Sequence, residues 1–186
     1  MARSRQYGDT LVEVLMAIVV LSIVIVGAIT VMSRGLKAAQ IALEHTQVRL
    51  EINSQIEMLR YLRDGYESDA SGQAGTTWTS LFSGTPTYAN ATDIDYTEAT
   101  SCAVTTGKTG FYLTQTTGTV NVTQFNLNNK PATYAQPGKG LWVEMARSTG
   151  VSPAYVDVVV RACWTGIGDS ADQRAVTAVR LYDPAH

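Results

Sequence analysis

"RSRQYGDTLVEVLMAIVVL", residues 3–21, begins with two arginines and a glycine and runs into an apolar stretch that carries two acids, Asp9 and Glu13, at its start. From Val14 to Ser33, twenty consecutive residues are uncharged, mostly Val, Ile, Leu and Ala. At ~1.5 Å per residue a helix of that length crosses the ~30 Å hydrocarbon core of a bilayer. A secretory signal has a basic leader, a shorter apolar run and a small-residue cleavage site, for which Val26-Gly27-Ala28 is the candidate here. Two acids at the head of the run, its extension to Met32 and the helical pattern beyond it favour a segment that the mature chain keeps.

Helix-compatible residues continue well past the apolar run. No proline occurs from Thr10 to Asp64, and only Gly27 and Gly35 interrupt, each costing ~1 kcal/mol relative to alanine. Ile41, Val48, Ile52, Ile56, Leu59 and Leu62 share one side at helical spacing. Leu36, Leu43 and Leu50 form a thinner line on nearly the opposite side. One helix of about 55 residues, ~80 Å long, outgrows any domain the remaining chain builds. One face, with Ile52, Ile56 and Leu59, is therefore expected to hold the chain's own globular part, and the other to meet neighbouring helices. Asp64-Gly65 reads as the helix stop.

After residue 65 the composition shifts to Thr, Ser, Gly and Asn. "GLWVEMARS" (140–148) alternates Leu141, Val143 and Met145 against Trp142 and Glu144. "AYVDVVVRACW" (154–164) sets Val156, Val158, Val160, Ala162 and Trp164 against Tyr155, Asp157 and Arg161, and "QRAVTAVRLYD" (173–183) sets Ala175, Val179 and Leu181 against Arg174, Arg180 and Tyr182. These predict an antiparallel meander whose apolar face packs on the stripe from Ile52 to Leu59. "GFYLTQ" (110–115) and "TVNVTQFNL" (119–127) add a hairpin; residues 66–109 read as largely loop, with a turn of helix around Trp78–Phe82. The fold class is α+β, a long N-terminal helix, membrane-spanning in its first half, packed on a C-terminal antiparallel sheet. The division is a leader at 1–8, a membrane or core helix at 9–33, its amphipathic continuation at 34–64, and a β-rich head at 65–186.

The placement of Glu13 becomes intelligible if the chain is cut after Gly8. Asp9 would then carry a free α-amine, and a carboxylate would stand one turn away at the membrane end of the helix. In low dielectric such charges strongly favour pairing, within one chain or with a neighbour's. "YG/DTLVEVLMAI" resembles the leader and start of a type IV prepilin: a short basic leader, a glycine before the cut, then Thr10-Leu11-Val12, Glu13 and an unbroken apolar stretch. The resemblance implies a pilin-like fold and a membrane-embedded prepilin peptidase that cuts between Gly8 and Asp9 and methylates the new amine. It also implies a subunit held in the cytoplasmic membrane, amino terminus in and head out, until an assembly machine driven by a cytoplasmic ATPase draws it into an extracellular filament. There Leu11, Val14, Leu15, Leu36, Leu43 and Leu50 would line the helical core, as a homo-polymer or a co-polymer with other pilins, and Glu13 would meet a neighbour's amine. Two positions depart from the family. Asp9 stands where Phe or Met is usual and adds like-charge repulsion in a water-poor core, and Thr30 stands at a common proline position.

The remaining motifs exclude more than they assign. Net charge is −2 with four lysines among fourteen cations, so no basic face makes nucleic acid the expected partner, except for a subunit at a filament tip. Cys102 and Cys163 are the only cysteines; an extracellular head lets them form a disulfide, and two buried thiols are the alternative. Gly107-Lys108-Thr109-Gly110 resembles the tail of a phosphate loop, but Cys102 stands where that motif needs glycine. Asp93, Asp95, Asp169 and Asp172 fit no EF-hand, and His45 and His186 are far apart, so neither a metal nor a cofactor is expected. Asn90 and Asn121 fall in glycosylation-type triplets. No hydrolase constellation appears, so an enzyme is not expected. The rivals to a pilus subunit are a pseudopilin of a type II secretion or DNA-uptake system and a tip adhesin. The adhesin needs an exposed aromatic or basic cluster, for which Tyr88, Tyr96, Tyr134, Lys108, Lys130 and Lys139 are the loop candidates.

Overall fold

The computed structural model describes residues 9–83, 94, 102, 108–127, 140–148, 154–166 and 172–182. Two helices and five strands follow in the order α1 (Asp9–Ser68), α2 (Gln73–Ser83), β1 (Thr109–Thr116), β2 (Thr119–Asn126), β3 (Leu141–Arg147), β4 (Tyr155–Thr165) and β5 (Asp172–Tyr182). The chain divides into two compact units, Met1–Leu43 and Glu44–His186.

The described part of the first unit is helix alone. From Leu11 to Leu43 every side chain is exposed, Ile41 included. In the second unit α1 becomes amphipathic: Val48, Ile52, Gln55, Ile56, Leu59 and Leu62 are buried at three- and four-residue spacing, while Leu50 is exposed.

That buried stripe lies against one face of a five-stranded antiparallel sheet of order β2-β1-β3-β4-β5. The expected meander is β3-β4-β5, with Val143 opposite Val160 and Val158 opposite Val179. The β1-β2 hairpin joins it through β1, where Phe111 pairs with Val143. Thr116 faces Thr119, so the hairpin turns on Thr117 and Gly118, at φ 52° and 83°. Two positive φ values in a two-residue loop match the twist of the flanking strands. Leu141, Val143, Met145, Val156, Val158, Val160, Ala162, Trp164 and Leu181 pack with the α1 stripe into one core.

Two expectations need correction. Helix α1 passes through Gly65 to Ser68, whose hydroxyl donates to the Gly65 carbonyl (3.0 Å). Gly65 permits contact rather than a stop: a Cβ there would collide with the Ala74 Cβ of α2. Second, the turn of helix at Trp78–Phe82 extends to eleven residues. Its start follows a cap-like corner in which the Ser71 amide and hydroxyl donate to Asp69 Oδ1 (3.0 and 2.7 Å). Trp78, Leu81 and Phe82 are then buried on one side.

The second face of the meander is also covered. Trp142, Glu144, Ala146, Asp157, Val159, Arg161 and Cys163 are all buried. Ile94 packs with Ala146 and Val159, while Leu127, Trp142 and Cys163 cluster with Cys102 and Phe125. Ile94 and Cys102, from the stretch read as loop, therefore pack on the sheet's second face, where charge is buried in a pair. The Arg161 Nε donates to Glu144 Oε2 (3.0 Å) and the Trp142 Nε1 to Glu144 Oε1 (2.8 Å). A carboxylate so satisfied avoids the penalty of a lone buried charge without adding much net stability.

Candidate functional site

Three regions carry the residues singled out from the sequence, beginning with the start of α1. Gly8 lies outside the described residues, and Asp9 is the first residue of α1. Leu11, Val14, Leu15 and Glu13 are all exposed, and Glu13 has no partner among the described residues. Sixteen large apolar side chains between Leu11 and Met32 stand 48–72% exposed. Covering that surface corresponds to on the order of 20 kcal/mol of apolar transfer, far more than a subunit can leave in water. This is the one described helix long and apolar enough to cross a membrane.

The polar residues within the segment satisfy themselves. Ser22 donates to the Ile18 carbonyl (2.7 Å), Thr30 to Val26 (2.8 Å) and Ser33 to Ile29 (2.8 Å), each four residues back. Such back-bonding is how a hydroxyl avoids an unmet hydrogen bond in hydrocarbon. The charge on Glu13 has no such local remedy.

The second region is where α1 meets the sheet. Ile52, Ile56 and Leu59 lie in the core, whereas Leu36, Leu43 and Leu50 stay exposed. Gln55 sits within the buried stripe, and sequence reasoning missed it. Its Nε2 donates to the Leu113 carbonyl (2.9 Å) and its Oε1 accepts from the Leu113 amide (2.8 Å). The side-chain amide thus substitutes for a strand neighbour two residues beyond the Phe111–Val143 pairing. The sequence signal was a lone amide residue at a core position of the stripe. Farther toward the amino terminus, Trp164 Nε1 donates to Glu44 Oε2 (3.3 Å), and the His45 ring meets Trp164 edge-on at 5.2 Å.

The third region is the back of the sheet. Cys102 and Cys163 form a disulfide, with their Cα atoms 6.0 Å apart. Its sequence separation of 61 corresponds to about 4 kcal/mol of loop-closure stabilisation in the chain-entropy account. The sulfurs and the Asp172 carboxylate lie within 4.8 Å of one another, a grouping the disulfide removes from metal chemistry while it stands. Lys108 is half-buried; Tyr88, Tyr96, Tyr134, Lys130 and Lys139 lie outside the described residues, as do Asp93, Asp95, Asp169, Asn90 and His186. At the other end of β4 and β5, Arg180 donates from Nε and Nη2 to the two Asp157 carboxylate oxygens (2.7 and 2.9 Å). Its guanidinium, held in the charged form by that bond, lies 3.9 Å over the Tyr155 ring.

Residues 3–29 match the family described as the prokaryotic N-terminal methylation motif, the type IV prepilin-like signature. No curated protein and no solved structure matches the chain. The motif implies processing by a prepilin peptidase and assembly into pilin-type filaments, and with the apolar helix it supports membrane anchoring before assembly.

Proposed function

We propose that this chain is a type IV pilin-like or pseudopilin subunit whose activity is polymerisation through α1, and that it catalyses no reaction of its own. The observation that carries the reading is the coincidence of the prepilin-type motif at residues 3–29 with a helix whose apolar side chains from Leu11 to Leu43 are all exposed. Such a helix has two acceptable surroundings, lipid or like helices. Transfer between them exchanges one apolar medium for another, whereas release into water does not.

In this mechanism the peptidase cuts between Gly8 and Asp9, and the head stays outside the cytoplasmic membrane while the new amino terminus remains at its inner side. Extraction by an ATP-driven machine brings α1 against α1 of subunits already in place. Glu13 then receives the amine of a neighbour's Asp9, and the pair fixes the axial register because both charges are otherwise unmet in the core. Leu36, Leu43 and Leu50 continue the helix–helix contact beyond the membrane-length segment. The head is carried outward by its attachment at Ile52, Gln55, Ile56 and Leu59.

A minor-subunit or pseudopilin role is favoured over that of the main fibre subunit by Asp9. A carboxylate one turn from Glu13 adds like-charge repulsion at every copy in a homopolymer, but only once where the chain is interspersed among others.

Intact-mass measurement of the protein purified from its own membranes tests the reading. A species beginning at Asp9, with or without one methyl group, is expected. A species beginning near Thr30 means the helix is discarded and the polymer reading is wrong.

A further inference from the structure

The register of β4 and β5 places Tyr155 opposite Tyr182 and Asp157 opposite Arg180. The result is a small ordered surface at one end of the sheet. The Arg180 guanidinium is fixed in plane by its two-point bond to the buried Asp157 and stacks on Tyr155. Tyr182 stands edge-on to Tyr155 at 6.3 Å and is 54% exposed. A guanidinium has five N–H donors, so three remain after Asp157 is served. Neither those donors nor the two phenol hydroxyls have a partner among the described residues. We propose that Tyr155, Arg180 and Tyr182 form a binding platform for a neutral carbohydrate.

Three features select that ligand. Asp157 cancels the charge of Arg180, so a polyanion would release few counterions on binding and gain little. Among the described residues of the five strands, Tyr182 is the one exposed large apolar side chain. A lasting protein contact covers ~800 Å² on each partner and centres on several buried anchors, which this patch does not supply. One or two sugar rings fit its size. The C–H face of a pyranose is electropositive and meets the negative face of a tyrosine ring, while its hydroxyls pair with fixed guanidinium donors and phenols. The assignment is independent of whether the chain serves a pilus or a secretion filament.

The test uses the full chain in a phosphocholine detergent, which carries no sugar of its own. Saturation-transfer NMR with cellobiose, lactose and chitobiose reads binding, and oligothymidylate provides the polyanion arm. At least one disaccharide is expected to bind with an affinity that does not change between 50 and 500 mM salt. Tyr182→Ala is expected to weaken it about tenfold, and Tyr182→Phe, which keeps the ring, by less than threefold. Tyr182 is exposed, so an unchanged thermal melt of both variants separates a lost contact from a lost fold. No disaccharide binding at millimolar concentration overturns the proposal. So does equal binding by Tyr182→Ala, salt-sensitive capture of oligothymidylate alone, or a variant that loses self-association while keeping sugar affinity.

Discussion

Replacing Gln55 by leucine keeps the side chain's volume and removes both of its hydrogen bonds to Leu113. Gln55 is 5% exposed and Leu113 2%, so no water waits to take over either backbone group. An orphaned buried donor or acceptor costs ~1–3 kcal/mol, which sets the loss at ~2–6 kcal/mol for the pair. Leucine's extra apolar burial returns about 1 kcal/mol. A net loss of ~3 kcal/mol, from the middle of that range, is expected, or ~5–10 °C in the melting temperature of a unit of this size. Calorimetry of the full chain in detergent gives the global number. Hydrogen exchange at the Leu113 amide gives the local one, and that amide is expected to lose protection more than its neighbours. Gln55→Glu should be no milder, because its carboxylate has no donor for the Leu113 carbonyl. A leucine variant that melts within 2 °C of the parent and leaves the Leu113 amide protected would refute the claim that this side chain completes the sheet.

Four further outcomes follow from the geometry. Glu13→Ala and Glu13→Gln should insert into membranes at least as well as the parent, since a carboxylate in a spanning helix is itself unfavourable. Their incorporation into filaments should fall by a hundredfold or more, read by shearing and quantifying polymer, because breaking a buried pair costs ~3–5 kcal/mol; normal incorporation would exclude the pairing. Gly65→Ala, which helix propensity alone would make stabilising by ~1 kcal/mol, should destabilise by ~1–3 kcal/mol because the new methyl meets Ala74, and the double variant with Ala74→Gly should recover the loss. Thr117→Asn should stabilise by about 1 kcal/mol in a thermal melt, since a β-branched residue is strained at φ 52° and asparagine is not. The Ser71 hydroxyl and amide, with the Gly72 amide, hold the Asp69 carboxyl below its ordinary value of 3.8. A depressed folded-state value contributes stability above the unfolded value that is lost as pH falls through the folded one, so the advantage of the parent over Asp69→Asn should be full at neutral pH and close in strong acid.

The helix and the three long strands were legible because their apolar residues recur at 3.6 and 2.0 residues without help from distant contacts. The amino-terminal motif was legible for the same reason: leader, Gly8, Glu13 and the apolar run are a local string. What escaped was decided by contacts far along the chain. Gly65 has the local chemistry of a helix stop, yet Ala74 explains why it is glycine. Glu144 and Arg161 alternate as solvent-facing residues do, and only the β3–β4 register, with Trp142 opposite Arg161, brings the buried pair together. Gln55 looks like an interruption of its stripe until Leu113 lies beside it. Tyr155 and Tyr182 meet only through the pairing of β4 with β5, so no scan for clustered aromatics along the chain finds them. The adhesin reasoning went to loop tyrosines, whereas the aromatic cluster described here sits on strands.

The self-satisfied hydroxyls of Ser22, Thr30 and Ser33 bear on how a subunit can travel. Because each closes its bond within its own turn, none must be given up when lipid tails are swapped for neighbouring chains, and none dictates a rotational setting. The segment is chemically mute around its circumference apart from the two acids, Asp9 and Glu13, near its tip. On the proposed reading, docking can then begin in any orientation and be corrected by spinning until Glu13 meets its partner.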